Sequence, residues 1–136
     1  MPDDALSKGE TELLIDGLTD DVDFAWALIH LGIRANPPVR DEPPAVEAIA
    51  AAFESFERLI SRGLVKLGRI EYLDPNTPKG TLAPVKYVDE EIGVVRTRVE
   101  RACRDAKDWS DWAFSCWLVN TEAGNAVARR AVEADA

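Results

Sequence analysis

The residues of this chain with types suited to chemistry are one histidine, His30, two cysteines, Cys103 and Cys116, and several adjacent carboxylates. A Ser-His-Asp arrangement would need His30 as its base, and no Gly-x-Ser-x-Gly elbow supplies the nucleophile. One histidine and two separated cysteines do not make a zinc set of recognisable spacing. Gly63 and Gly68 precede no Lys-Ser or Lys-Thr, so there is no phosphate-cradling loop. The carboxylate pairs Asp20/Asp21 and Glu90/Glu91 fall at expected helix starts, where capping and the helix dipole account for them. His30 lies beside an apolar stripe and reads as a partly buried structural histidine. The expectation is a protein that is not an enzyme, with no cofactor and no metal site.

What remains is binding chemistry. Trp109, Trp112 and Trp117 cluster near the C-terminal end. They form either a packed corner between a helix and a strand or an aromatic patch that anchors a partner, since tryptophan is enriched in interface hot spots. Arg96, Arg98, Arg101, Arg104 and Lys107 decorate one stretch, with Glu100, Asp105 and Asp108 beside them as pairing partners. Net charge is -9 over 136 residues. All of the excess lies in residues 1–60, which hold 13 acids and 4 bases. Such a field repels phosphate backbones and favours basic partners.

The elements that must position these residues can be read from periodicity. Residues 1–9 read as a flexible polar end and residues 10–136 as one domain. The acidic start lacks a signal-peptide layout and no apolar run approaches membrane-spanning length, so the expected location is cytoplasmic. Residues 10–18 form one or two helical turns. Thr19 caps a helix carrying Val22, Trp26, Ile29 and Ile33 on one face. Residues 36–44 hold four prolines and make a stiff, exposed connector. A helix follows from Pro44 to Ser61 with Val46, Ile49, Phe53, Phe56, Leu59 and Ile60 on its apolar stripe. Gly63 ends it. Residues 64–73 form a strand with a disturbance at Gly68, residues 74–80 a turn, and residues 82–88 the return strand. Residues 89–108 form a helix, Trp109 to Trp112 a link, and residues 113–119 a strand covered on both faces. Thr121 caps a last helix.

Two of these junctions carry a family likeness. Phe56-Glu57-Arg58-Leu59-Ile60-Ser61-Arg62-Gly63-Leu64-Val65 resembles the recognition-helix end of winged-helix regulators of the MarR and PadR types. Leu118-Val119-Asn120-Thr121-Glu122-Ala123-Gly124 resembles their closing strand and its turn into the last helix, with Asn120 as an extra residue. The resemblance implies an α+β, winged-helix-like fold, with helices around a small antiparallel sheet and hairpin and an inserted helix before the last strand. It also implies DNA contacts from Ser55, Arg58, Arg62, Lys66, Arg69 and Lys79, and a homodimer formed through the terminal helices.

The sequence departs from that pattern in three places. The proline-rich connector stands where a second helix would precede the recognition helix. The groove-facing positions would be Ala48, Ala51, Ala52, Glu54, Ser55 and Arg58, of which only Arg58 reads bases or phosphates well. The arginine-bearing helix is inserted before the closing strand. Two readings follow. One is a protein-binding module, an adaptor or a neutralising partner of a basic protein, with Trp109, Trp112 and Trp117 as its patch. The other is a DNA-binding regulator. The charge favours the first, and no membrane association is expected.

Overall fold

The computed structural model describes residues 5–33 and 42–135. Helix α1 (Lys8–Asp16) opens on a capping box. The Ser7 hydroxyl accepts from the Glu10 amide at 3.0 Å, and Glu10 accepts from the Ser7 amide at 3.0 Å. The helix therefore starts two residues before the expected Glu10. Strand β1 (Val22–Asp23) and helix α2 (Phe24–His30) come next, and here the expectation is corrected. The cap is Asp23, which accepts from the Trp26 amide at 2.9 Å, while the Thr19 hydroxyl donates back to the Asp16 carbonyl at 3.2 Å. Val22 belongs to a strand pair with Leu118 instead of a helical stripe. The buried face of α2 is Phe24, Ala25, Ala27 and Leu28, and Trp26 points outward.

The expected proline-rich connector lies largely outside the described residues. Helix α3 (Val46–Ser61) starts behind Ala45, which offers no side-chain cap. Ile49, Ala52, Phe53, Phe56 and Leu59 are buried, whereas Val46 at its open end is exposed. Gly63 takes φ 71°, a left-handed turn that glycine adopts without strain. It sends the chain into β2 (Val65–Tyr72). The loop to β3 (Val85–Asp89) is stapled by the Tyr72 hydroxyl, which donates to the Thr81 carbonyl at 2.9 Å and accepts from the Gly80 amide at 3.1 Å. Gly68 makes no bulge. It stays in register with Asp89 on one side and Trp117 on the other, and a side chain there would strike the Val88 carbonyl.

Helix α4 (Ile92–Asp105) is capped by Glu91. The expected link at Trp109 to Trp112 is instead a short helix, α5 (Trp109–Ala113), built on an Asp108/Asp111 capping box. Two helices thus precede the closing strand β4 (Trp117–Asn120), and α6 (Glu122–Asp135) completes the described chain. The result is an α+β fold, six helices around an antiparallel sheet of strand order β1-β4-β2-β3. One sheet face, with Val22, Leu118, Leu67 and Val65, is buried beside Phe24, Phe53, Phe56 and Trp112. The other face, with Trp117, Val119, Ile70 and Tyr87, is only half-buried. Full cover on both faces of β4 is therefore not what forms, because the helices pack on one side.

The two junctions that stood out in sequence meet in space. Thr121 donates its amide to the Leu64 carbonyl at 3.0 Å and its hydroxyl to the Gly63 carbonyl. The same hydroxyl accepts from the Gly124 amide at 3.1 Å, capping α6 as expected. Gly124 faces the Leu64 carbonyl so closely that a Cβ would collide with it. Asn120, the extra residue, donates to the Leu14 carbonyl at 2.8 Å and to Asn125 at 3.0 Å, tying β4 to α1 and α6. In an open helix Gly124→Ala would gain about 1 kcal/mol. Against this carbonyl we expect a net loss of about 2 kcal/mol in urea unfolding. An unchanged or higher midpoint would contradict the contact.

Candidate interaction surfaces

The face of α3 expected to read DNA is partly taken up by the chain itself, with Ala51 and Glu54 left exposed. Ala52 is fully buried and cannot face a groove. Ser55 is half-buried. Arg58 donates to the Ala5 carbonyl at 3.2 Å and to Glu10 at 3.3 Å, and its Nε lies 3.3 Å from the other Glu10 oxygen. Glu10 is only 2% exposed, so this pair neutralises a carboxylate withdrawn from water. A groove of about 510 Å³ between the start of α1 and α3 is lined by Ser7, Glu10, Ala51, Glu54, Ser55 and Arg58.

The other expected contacts are dispersed. Arg62 follows at the C-cap of α3. Lys66 is exposed on the open sheet face, paired in register with Val119. Arg69 points to the opposite face, where it pairs with Val88 in register and bonds Glu71 at 3.0 Å and Glu90 at 2.8 Å. Lys79 is exposed in the stapled loop. Ser55, Arg58, Arg62, Lys66, Arg69 and Lys79 are not gathered into one patch.

Glu90 is the hub of the strongest charge cluster. Arg98 grips it bidentately at 2.8 and 2.9 Å, Arg69 adds a third bond, and Arg98 also donates to the Ser115 carbonyl at 2.9 Å. The bonds from Arg98, with those from Arg69, hold the Glu90 carboxyl below its usual range. Its contribution to stability is present above the ordinary glutamate pKa of 4.5 and is lost as pH falls through the lowered folded value. We expect Glu90→Gln to cost about 2 kcal/mol at neutral pH, since it weakens charge-assisted bonds. The gap between variant and wild type should narrow below the ordinary glutamate pKa. A gap that widens on acidification in parallel denaturation curves would refute this. The remaining arginines behave as expected of a solvated face: Arg96 pairs with Glu100 at 3.4 Å and Arg104 with Asp105 at 3.3 Å.

The tryptophan cluster divides. Trp112 is 1% exposed and meets the Phe24 ring edge-on at 6.4 Å, so it is core. Trp109 and Trp117 are half-buried and are joined by Phe114, which lies in the segment expected to be a strand covered on both faces. Phe114 is 44% exposed, contacts Trp109 at 5.2 Å, and stacks on Trp117 at 5.7 Å with planes 9° apart. Residues 113–116 form the end of α5 and a turn, so strand alternation begins only at Trp117. Next to Trp117 in register is Gly68, beside which the Tyr87 hydroxyl lies. Tyr87 donates to Asp89 at 3.1 Å, and burial with the neighbouring Asp89 pushes its hydroxyl pKa up. Burial and the adjacent Asp20 raise the Asp21 pKa, and Asp21 also acts on Tyr87. The open face thus carries an aromatic strip, Trp109, Phe114, Trp117 and Tyr87, edged by Asp89 and Asp21.

His30 bonds Asp16 at 2.9 Å and packs near the Trp26 ring at 5.9 Å, which ties α2 to α1. Cys103 and Cys116 are buried, and burial pushes the Cys116 thiol pKa well up. Among the described residues no group of three or more His, Cys, Asp or Glu could hold a metal ion. Among them, too, no helix is long and apolar enough to cross a membrane. Comparison with known proteins finds no family model, no curated protein and no solved structure that matches this chain.

Proposed function

We propose that the chain is a non-enzymatic, winged-helix-like binding protein that takes a basic protein partner on the open face of its sheet, in an adaptor or neutralising role. The observation that carries this reading is the aromatic strip of Trp109, Phe114 and Trp117 at the surface, continued by Tyr87 and edged by carboxylates. Large rings supply contact area at small entropic cost, and carboxylates beside them select a cationic partner. The net charge of -9 adds long-range attraction for such a partner. The winged-helix frame is supported by the order of α3, the β2–β3 hairpin and β4, and by the direct contact between the Gly63 and Thr121 junctions.

A DNA-binding regulator is the second reading, kept by the exposed Lys66 and Lys79 and by the same order of elements. Against it stands Arg58, which is committed to Glu10. The two are separated by anisotropy with random-sequence duplex DNA at low salt. We expect no binding at micromolar protein. Micromolar affinity that falls steeply with added salt would overturn the protein-binding proposal. If such binding were seen, Lys66→Glu with Lys79→Glu should flatten its salt dependence by about two counterions. Charge reversal at Arg58 or Arg69 is unsuited to this purpose, because both hold carboxylates needed by the fold.

A further inference from the structure

Across the open face, Trp117 on β4, Gly68 on β2 and Asp89 on β3 stand in one row. Neighbouring strands are about 4.8 Å apart, so the outer two backbones are separated by about 10 Å. The central position has no side chain of its own. The Tyr87 hydroxyl lies beside the Gly68 position, next to the Val88 carbonyl, and donates its proton to one Asp89 oxygen, Oδ1. The other Asp89 oxygen takes no side-chain hydrogen bond among the described residues, and Asp89 is exposed. On the β4 side the stacked pair of Phe114 and Trp117 offers ring surface, with Phe114 the more open of the two. Of the strand residues on this face, Lys66 is the one cation, and it sits beside Val119, beyond Gly68 from Ile70.

We infer that this row recognises an arginine side chain of the partner in preference to lysine, its guanidinium laid on the Phe114–Trp117 rings and hydrogen-bonded to Asp89. The inference rests on the open sheet face being the docking surface. A guanidinium is flat and carries its donors in its own plane, so it can stack on a ring and bond a carboxylate at the ring's edge at once. An ammonium is a compact, strongly hydrated point charge that must choose between the two. Asp21 lies close enough to act on Tyr87, adding a second carboxylate near this edge of the face.

The test is calorimetric titration of the full chain, at low salt, with oligo-arginine and oligo-lysine peptides of equal length. We expect the arginine peptide to bind about tenfold more tightly. Phe114→Ala and Asp89→Asn alter exposed side chains, and folding of each is checked by circular dichroism. Each should remove most of that preference while leaving lysine-peptide binding nearly unchanged. Tyr87→Phe, which removes the hydroxyl but neither the Phe114–Trp117 rings nor the Asp89 carboxylate, should retain the preference. Equal affinity for the two peptides, or a preference that survives both Phe114→Ala and Asp89→Asn, overturns arginine recognition and leaves a basic partner standing. Binding of neither peptide at low salt overturns both.

Discussion

The Leu64 carbonyl is the atom on which most of this structure turns. It accepts the Thr121 amide and lies against the bare Cα of Gly124, so it joins the exit of α3 to the entry of α6 with no side chain between them. A backbone contact this close depends on three local choices made far apart in sequence. Gly63 takes the left-handed turn that presents the carbonyl, Thr121 supplies a hydroxyl that bonds both junctions, and Gly124 leaves room. Once that contact is set, β4 is laid beside β2, Leu118 falls against Leu67, and the sheet order follows.

Charge serves the same frame before it serves any partner. Glu10 is buried and must be neutralised, which takes Arg58. Glu90 draws Arg98 and Arg69, and so fastens the hairpin to α4 and, through Arg98, to the Ser115 carbonyl. Arginines that look available when counted in sequence are therefore already engaged, whereas many exposed carboxylates keep their full field. In these pairs the carboxylate is the more buried partner and the arginine the more exposed one, so the pairing holds the frame without adding to the negative field.

The pattern of α3, the hairpin and the Thr121 cap was legible because each rests on residues within one or two turns of each other. The parts that were not legible depend on distant partners. Val22 is a strand residue only because Leu118 lies beside it, and that pairing moves the helix start from Thr19 to Asp23 and rotates Trp26 outward. Arg58 looked like a groove reader because nothing local reveals Glu10, which reaches it from another helix. The Asp108/Asp111 box was a readable signal for α5, passed over because five residues between a helix and a strand look like a link. That miss also hid Phe114, whose position follows from α5 ending where it does.

The open sheet face is where these constraints leave chemistry unused. Helices cover one side of the sheet, and the opposite side of β2 carries Lys66, Gly68, Ile70 and Tyr72. A glycine in a central strand costs stability unless something covers it, and here the Val88 carbonyl and the Tyr87 hydroxyl close over the position. The same hydroxyl donates to Asp89, one strand away from the bare position that faces Trp117. The same side chain thus closes over the bare strand position and fixes the acidic group at its surface, while Phe114 joins the two tryptophans. A rigid patch formed as a by-product of covering the strand needs little further ordering on contact, which is the condition under which a few rings and one carboxylate can discriminate between partners.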